Sequence, residues 1–443
     1  MNLLWCVVDC DRYDAHTENG YKKDTTPNIS AITSEDFVKF SRAYSQSTFT
    51  FSSSSSMLTG TYPSAHGALT HNDRLPSNIK KAADYLEPRS FEAFSGMNWF
   101  TDEWGLAESF SRVHDMNQYH GGKPRADQIV TEFKNKFDSL SRPFGAMLWF
   151  FDLHTPYETP PSFQDDNPHR ACYDSELAFV DEQIGVLINF LKSQGEYEET
   201  MIIITSDHGE LFDEHHKYEG NRLIEAVIEQ DIPYFADRLK TPKTDDAKPG
   251  FLGHNPYPLY EELIHVPLYV KFPHGQWGGQ TVDALVELVD ILPTIVDTLS
   301  INIPASGRDW QGQSLVPILE NEERGHEYVF SEVDRRDHSR FTSIHDGEFK
   351  LVTMQPTSLA FPILRNYFSE YLIEKWILPR QKLYKIDFEK DNIIDDYQSM
   401  ARKLNSKSNA QLRQNFNLNA AFENEQVRPS EETMKELSYL GYR

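Results

Sequence analysis

The stretch Met201-Ile-Ile-Ile-Thr-Ser-Asp-His-Gly-Glu210 decides the fold, because a short apolar run ends abruptly in a polar cluster. An apolar run of this length, rich in β-branched residues, is typical of a strand buried on both faces. The cluster that follows supplies the carboxylate of Asp207 and the imidazole of His208. Such oxygen and nitrogen ligands suit Ca²⁺, Mn²⁺ or Zn²⁺, although an ordinary turn with a capping Asp explains the same residues.

Three more apolar runs of this kind are spread along the chain, at residues 3–8, 144–151 and 266–272. Helical patterns lie between them. The clearest spans residues 174–193, with its apolar residues on one stripe, and another spans residues 290–299, with Asp290 as its predicted N-cap. Strands that alternate with helices predict an α/β fold, with a mostly parallel sheet sandwiched by helices.

Three of the predicted strands end in polar residues: Asp9-Cys10-Asp11, Asp152-Leu-His154 and residues 206–210. In open α/β sheets the ligand site lies outside the carboxyl ends of the strands. We therefore expect these three strand ends to converge on one site. Taken alone, Asp9 fits a helix cap better than a metal ligand, and Asp11 and Asp14 leave the same two interpretations open.

The length of 443 residues exceeds the roughly 250–300 residues at which a single core stops growing, so we expect two domains. Residues 1–325 carry the alternating pattern, and residues 217–252 within them read as an insertion, either a lid or surface decoration. After about residue 325 the segments become shorter, which predicts a smaller C-terminal α+β domain over 326–443. Residues 403–430 are polar and rich in Asn and Gln, which favours a loop or a poorly ordered helix.

The composition excludes several classes of partner. With 68 acidic and 43 basic residues the net charge is −25, so nucleic acid and anionic membranes would be repelled. Three cysteines form no disulfide framework, and there is no run of 18 apolar residues for a membrane span. The first residues lack the basic region and cleavage site of a signal peptide, so we expect a cytoplasmic protein. The oligomeric state is left open.

Residues 48–60, Thr-Phe-Thr-Phe-Ser-Ser-Ser-Ser-Ser-Met-Leu-Thr-Gly, contain five consecutive serines. Such a run suggests a low-complexity linker, yet the apolar residues that flank it would not be buried by a linker. A hydroxyl at a helix N-terminus is well placed for nucleophilic attack, because the helix dipole stabilises an anionic group there. Helix capping by Ser or Thr is the simpler alternative.

Together these segments resemble the sulfatase family of the alkaline-phosphatase superfamily. Asp9 stands where that family has its first metal-binding Asp, and residues 50–67 resemble its signature of a nucleophile followed by Leu-Thr-Gly-x-Tyr-Pro and His-Gly. Counting back from Leu58-Thr-Gly60 places Thr50 at the nucleophile position. Further segments match the family in order: Asp152-Leu-His-Thr-Pro-Tyr157, residues 206–210, Gly253-His254, residues 259–268, residues 289–294, Gly312-Gln-Ser-Leu315, Leu383-Tyr384 and Leu440-Gly-Tyr442.

The resemblance implies an alkaline-phosphatase-like fold and a metal-dependent hydrolase that acts on a small anionic ester. It implies one divalent ion, Ca²⁺, Mn²⁺ or Zn²⁺, and roles for individual residues of this chain. The implied metal ligands are Asp9, Thr50, Asp207 and His208; the implied catalytic residues are Thr50, His154 and His254; and the implied substrate-binding residues are His66 and Lys217. For His66, packing of the turn is an equally good interpretation.

Departures from the family pattern bear on the substrate. Typical sulfatases have a Cys or Ser nucleophile that is oxidised to formylglycine, an aldehyde that Thr50 cannot give. Ser52 and Ser54 replace the usual Pro and Arg, and Cys10 replaces the second Asp of an Asp-Asp pair. Superfamily members with a Thr nucleophile generally act on phosphate esters, so we expect phosphate mono- or diesters rather than sulfates. A phosphotransferase of the same superfamily and a catalytically decayed anion-binding protein are the alternatives.

Overall fold

The described residues of the computed structural model form two sheets, a short β-ribbon and ten α-helices. The structure describes residues 1–97, 99–116, 123–159, 162–165, 167–212, 259–334, 339–356, 381–386, 392–422 and 425–426. The strands are β1 Asn2–Val8, β2 Val38–Tyr44, β3 Asp73–Arg74, β4 Phe91–Ser95, β5 Arg112–Asp115, β6 Gly145–Phe150, β7 Thr200–Thr205, β8 His265–Val266, β9 Leu268–Lys271, β10 Thr281–Glu287, β11 Val329–Asp334, β12 Ser339–His345, β13 Phe349–Pro356, β14 Gln381–Lys385 and β15 Glu425–Gln426. The α-helices are α1 Pro27–Thr33, α2 Thr50–Thr59, α3 Pro63–His66, α4 Ala82–Leu86, α5 Ala126–Lys136, α6 Pro168–Gln194, α7 Glu261–Ile264, α8 Ile291–Thr298, α9 Val316–Leu319 and α10 Gln398–Asn419.

The large sheet has nine strands in the order β10-β2-β9-β7-β1-β6-β4-β5, with β8 paired to β2. Its centre is parallel: β1 lies between β7 and β6 and pairs with both in the same direction. The carboxyl ends of β7, β1 and β6 therefore meet at one edge of the sheet, as the sequence predicts.

Both faces of the central strands are buried, which explains why their sequences are almost continuously apolar. Along β7, Met201 and Ile203 belong to the core on one face of the sheet. Ile202 and Ile204 belong to the core on the other face. Since side chains alternate along a strand, a strand covered on both sides needs apolar residues at every position.

Helices form a layer on each face. The first core contains apolar residues of α2, α4 and α8. The second contains residues of α1, α5 and α6, and α6 covers the sheet along 27 residues, longer than the predicted 174–193. The predicted α/β fold, a mostly parallel sheet sandwiched by helices, is thus confirmed.

The apolar run at 266–272 differs from the expected single strand. It forms two short strands, β8 and β9, and β9 runs antiparallel to both of its neighbours, β7 and β2. Pro267 lies between the two strands, and proline cannot donate a hydrogen bond to a sheet, which accounts for the interruption.

The smaller C-terminal unit is an antiparallel sheet, β11-β12-β13-β14, with α10 packed on it. Of the two alternatives expected at 403–430, a loop or a poorly ordered helix, the loop is wrong over 403–419, which belong to α10. The helix buries residues at helical spacing, but two of them are polar, so the apolar stripe is thin in the sequence. These buried residues are Ala401, Leu404, Ser408, Leu412 and Asn415.

Buried acidic residues at the end of β10 connect the two sheets. Glu287 accepts a hydrogen bond from the backbone N–H of Phe330 in β11, at 2.7 Å. Asp290 occupies the predicted N-cap position of α8, but its carboxylate caps no N–H of that helix. It lies instead 2.8 Å from Nε2 of His326, so an imidazolium is paired with Asp290 at this junction.

The predicted insertion at 217–252 lies outside the described residues, and the predicted domain boundary at 325/326 stays a prediction. Within the part of the chain that the structure describes, no helix has the length and apolar character needed to cross a bilayer.

Replacing His326 with Ala should destabilise the protein by about 2 kcal/mol near pH 6, because the buried carboxylate of Asp290, 2.8 Å from the imidazole, loses its counter-charge. Burial alone would lower the pKa of His326, but the charges of Asp290 and Glu287 raise it from 6.5 to about 9. A raised imidazole pKa stabilises the folded state fully below pH 6.5, and this contribution is lost as the pH rises through 9. Chemical denaturation at pH 6 and above pH 9 measures the difference.

His274 is the matched control, since its side chain is 64% exposed. His274→Asn should change the free energy of unfolding little at either pH, because its ion pair with Glu199 is exposed and Asn tolerates the left-handed backbone there, with φ of 57°. An equal loss for His326→Ala at both pH values would contradict the assignment of charge to His326.

Candidate active site

Thr50 is the first residue of α2, and Phe49 before it has an extended backbone. Every residue of this ten-residue helix is buried, so the serine run is not a linker. Each of the five serine hydroxyls has a partner, either a backbone carbonyl or a histidine. The partners are the carbonyl oxygens of Ala68 for Ser52, Asp207 for Ser53, Thr50 for Ser54 and Phe51 for Ser55, and His66 Nε2 for Ser56.

The Thr50 hydroxyl lies 3.0 Å from Nε2 of His208. The other ring nitrogen of His208, Nδ1, lies 2.9 Å from the carbonyl oxygen of Gly209 and must donate to it. In the neutral ring Nε2 is therefore the acceptor, available to a metal ion or to the Thr50 proton. Gly209 allows this turn, because a Cβ there would lie 2.0 Å from the carbonyl oxygen of Glu262.

Two carboxylates, Asp9 and Asp207, are fully buried beside this pair. Burial, reinforced by the charge of Asp207, raises the pKa of Asp9 to about 7. The ring N–H of Trp149 donates to Asp9 Oδ2 at 3.3 Å. Two buried carboxylates so close together favour a cation between them.

The ligand atoms of this cluster suit a divalent ion. Asp9, Cys10 and His208 each offer one donor atom, and these atoms lie within 4.8 Å of one another. Asp207 Oδ2 lies 3.3 Å from His208 Nε2 and, among the described residues, has no hydrogen-bond donor. Buried polar atoms normally have a hydrogen-bond partner. A buried carboxylate oxygen that receives no hydrogen bond from the described residues is therefore a candidate metal ligand. The structure thus brings together all four residues of the predicted metal set.

Sequence reasoning missed two groups. It treated Cys10 only as a departure from the family pattern, whereas its sulfur belongs to the cluster. It also missed Ser45, directly after β2, whose hydroxyl donates to the carbonyl oxygen of Asp207 at 2.5 Å. A second donor, the hydroxyl of Ser53, reaches the same oxygen at 2.7 Å. The signal for Ser45 was available: it is the first polar residue after a strand, like Asp9.

His154 lies at the end of β6, the strand next to β1, and is buried. Its Nδ1 donates to the carbonyl oxygen of Thr155 at 2.7 Å, which orients the ring. The Lys123 ammonium donates to the carbonyl oxygens of His154 and Phe151 and so braces this loop. The carboxylate of Asp152 serves the same loop, since it accepts the N–H of Ala126 at the start of α5.

The substrate-binding interpretation of His66 is not supported by its position. His66 is fully buried, with Nε2 3.1 Å from the Ser56 hydroxyl and Nδ1 accepting the N–H of Ala68. Burial lowers the pKa of His66 to about 3, so the ring is neutral and cannot attract an anion by charge. It packs the turn after α2, the alternative that the sequence left open.

The residues after Asp9 support the loop rather than the site. Asp11 pairs with His16 at 2.8 Å, and Arg12 pairs with Asp14 at 2.7 Å. His254 and Lys217, the remaining catalytic and substrate-binding candidates, lie outside the described residues.

The profile of the family described as Sulfatase matches residues 1–301. The chain belongs to the sulfatase family. A second profile, N-sulphoglucosamine sulphohydrolase, C-terminal, matches residues 256–361. Membership of the sulfatase family confirms the family and the fold class inferred from the motifs, and it supports a hydrolase.

Individual relatives are distant. The chain is 31% identical over 150 residues to N-acetylglucosamine-6-O-sulfatase of Bacteroides thetaiotaomicron. The aligned region is 34% of this chain and 20% of that protein. It is 23% identical over 312 residues to the low-salt glycan biosynthesis sulfotransferase Agl7 of Haloferax volcanii. This aligned region is 68% of the chain and 62% of the relative. These matches thus span less than two thirds of either relative.

The fold has close structural counterparts in solved proteins. The crystal structure of phosphonate monoester hydrolase of Agrobacterium radiobacter superposes with a TM-score of 0.68 at 18% identity, over 97% of this chain and 100% of that one. At this identity the likeness concerns the fold.

Ser53→Ala should lower the affinity for a divalent ion by about tenfold, because the carbonyl of Asp207 loses one of its two hydroxyl donors and its carboxylate is held less firmly. Ser55→Ala is the matched control in the same helix, since Ser55 bonds only within α2. Isothermal titration of chelator-treated protein measures both. Equal affinities for the two variants would show that Ser53 does not position Asp207.

Proposed function

We propose that the protein hydrolyses small anionic esters through covalent attack by Thr50 at a divalent-metal site, and that phosphate mono- or diesters are preferred over sulfates. The observation that carries this proposal is the Thr50 hydroxyl, 3.0 Å from His208 Nε2 at the start of a buried helix. A nucleophile, a nitrogen acceptor and two carboxylates in one buried space match the needs of group transfer from an anionic ester.

The residues that would hold the cation are Asp9, Asp207, His208 and Thr50, with Cys10 beside them. The chemistry that a divalent cation supplies there is a lower pKa for the Thr50 hydroxyl and neutralisation of the substrate's anionic oxygens. The N-terminus of α2 adds partial positive charge on the same side.

In the first step Thr50 Oγ1 gives its proton to solvent and attacks the phosphorus or sulfur of the ester. The new bond to Oγ1 forms as the bond to the alcohol oxygen breaks, and the imidazolium of His154 gives that oxygen its Nε2 proton. In the second step a water molecule attacks the Thr50 ester and gives one proton to His154 Nε2, Thr50 Oγ1 leaves and takes up a proton from solvent, and inorganic anion is released. Both steps conserve the charge of the enzyme over a cycle.

The preference for phosphate rests on the side chain at position 50. Threonine has a methyl group on Cβ and cannot be converted to the aldehyde that typical sulfatases use, so release of the anion requires hydrolysis of an ester to Oγ1. A phosphothreonine formed in this way resembles the intermediates expected for family members with a Thr nucleophile.

A second candidate, transfer of the anionic group to an acceptor alcohol, is favoured by one observation: a relative covering 68% of this chain is named a sulfotransferase. The acceptor would take the place of water in the second step. With added alcohol, the appearance of a new ester of that alcohol, with a matching fall in the inorganic anion released per substrate consumed, separates transfer from hydrolysis.

Thr50→Val should lower the rate of ester cleavage by about 10³-fold or more, because it keeps the shape of the side chain and removes the hydroxyl. Thr50→Ser keeps a hydroxyl and should retain measurable activity. The assay compares an aryl phosphate monoester, an aryl phosphodiester and an aryl sulfate, with Mn²⁺, Zn²⁺ or Ca²⁺ added. Mass spectrometry of acid-quenched protein should show a phosphate on the peptide containing Thr50.

If only the sulfate is cleaved, the proposed preference for phosphate is overturned, but the assignment as an ester hydrolase stands. Full activity of Thr50→Val would overturn the assignment of the nucleophile. If no ester reacts and no metal binds, the anion-binding alternative replaces the enzyme.

His154→Asn should slow the cleavage of esters that have poor leaving groups by about 10²–10⁴-fold, because the departing alkoxide needs a proton. Esters of acidic phenols, such as nitrophenol, should be slowed much less, since their leaving oxygen needs little protonation. The dependence of kcat/KM on the pKa of the leaving group measures this difference. An equal loss for all leaving groups would assign His154 to binding instead.

A further inference from the structure

Cys10 has an unusual backbone for a residue with a side chain. It follows the last residue of β1 by two positions and lies in the left-handed region, with φ of 63°. Its N–H points to Asp207 Oδ1 at 3.3 Å, and its carbonyl accepts the Tyr173 hydroxyl at 2.9 Å. A non-glycine residue is held in this conformation only where its surroundings over-determine it, and such residues are concentrated at functional sites.

This backbone directs the thiol into the cluster of ligand atoms. Sγ lies 3.0 Å from Asp9 Oδ1 and, with one donor atom each of Asp9 and His208, forms the group whose atoms lie within 4.8 Å of one another. Asp207 provides an independent sign of a cation here, because its Oδ2 is fully buried and receives no hydrogen bond within the described residues.

We propose that Cys10 is a thiolate ligand of the divalent ion and that it makes the site selective for Zn²⁺ over Ca²⁺. This inference rests on the proposed function, of which it names the metal. In ligation the S–H bond of Cys10 breaks, a sulfur–metal bond forms, and the proton leaves to water. No oxidant or reductant is needed.

The donor set explains the selectivity. Ca²⁺ takes six to eight oxygen ligands, whereas zinc sites are built from four donors that include thiolate and imidazole. With Cys10 and His208, two of the donors here are sulfur and nitrogen. The carboxylates of Asp9 and Asp207 bring the set to four, and the Thr50 hydroxyl would take the fifth position to which catalytic zinc sites can expand. Soft thiolate ligands favour Zn²⁺ over hard cations such as Ca²⁺ and Mg²⁺.

The chain offers matched control cysteines. Cys6 is buried inside β1, in the apolar core on the face of the sheet covered by α6. Cys172 is half-buried on α6. Neither belongs to the group of ligand atoms, so substitution of either should leave the metal site unchanged.

The test is optical and does not depend on a substrate. Chelator-treated full-length protein is titrated with Co²⁺, a spectroscopic substitute for Zn²⁺, and the near-ultraviolet thiolate-to-cobalt charge-transfer band is recorded. The wild type and Cys172→Ser should show the band, saturating at one equivalent. Cys10→Ser should bind Co²⁺ without the band. X-ray absorption of the zinc form should show one sulfur neighbour at about 2.3 Å.

Cys10→Asp tests selectivity. Competition with a chromophoric chelator should show that the ratio of Zn²⁺ to Ca²⁺ affinity falls by more than about tenfold, because a hard oxygen ligand replaces sulfur. Circular dichroism and denaturation establish that the variants are folded. Should Cys10→Ser fail to fold, the wild-type band and the sulfur neighbour decide the matter.

The proposal is overturned if wild-type protein binds no Co²⁺, binds it without the band, or keeps the band in Cys10→Ser. An unchanged affinity ratio in Cys10→Asp overturns the selectivity. A clear band in a protein that cleaves no ester would contradict the proposed function while supporting this ligand. Ester cleavage by a protein without the band would support the proposed function and contradict Cys10 as a ligand.

Discussion

The mutual repulsion of two buried carboxylates, Asp9 and Asp207, is the constraint around which the site is organised. They follow neighbouring parallel strands, so the sheet itself forces them together, and neither is exposed to water. Surrounding groups limit the cost: the Trp149 N–H, two backbone N–H groups and an imidazole all face them. This arrangement makes sense if a cation completes the charge balance, because like charges in a dry space are otherwise unfavourable.

The helix that carries Thr50 shows how local chemistry is adapted to this constraint. Serine is a weak helix former, because its hydroxyl competes for backbone groups. In α2 this tendency is used: some hydroxyls bond back within the helix, and that of Ser53 crosses to the carbonyl of Asp207. The helix that carries Thr50 is therefore tied to Asp207 by this neutral bond as well as through His208. A run that resembles a linker in sequence is thus a rigid, buried support.

Much of this architecture was readable from the sequence. Apolar runs ending in Asp9 and Asp207 predict both the sheet and the place of the site, and the family resemblance adds Thr50. Other features depend on atoms that no pattern reveals. Cys10 stands where the family pattern has an Asp. Its left-handed backbone, which directs the sulfur into the cluster, is visible only in the structure. His66 occupies a motif position, yet both of its ring nitrogens form hydrogen bonds with residues next to its own turn, Ser56 and Ala68.

The central strand also governs how the protein must fold. Val7 of β1 pairs with Trp149 of β6 and with Thr205 of β7, so its neighbours are made long after it. At about 5–20 residues per second, roughly 10–40 s of synthesis separate β1 from β7. Until β6 is made, roughly 7–28 s after β1 at the same rate, neither edge of this apolar strand can be paired, and such strands are prone to aggregation. The order of strands that builds the candidate site therefore exposes the nascent chain to aggregation until β6 and β7 are made.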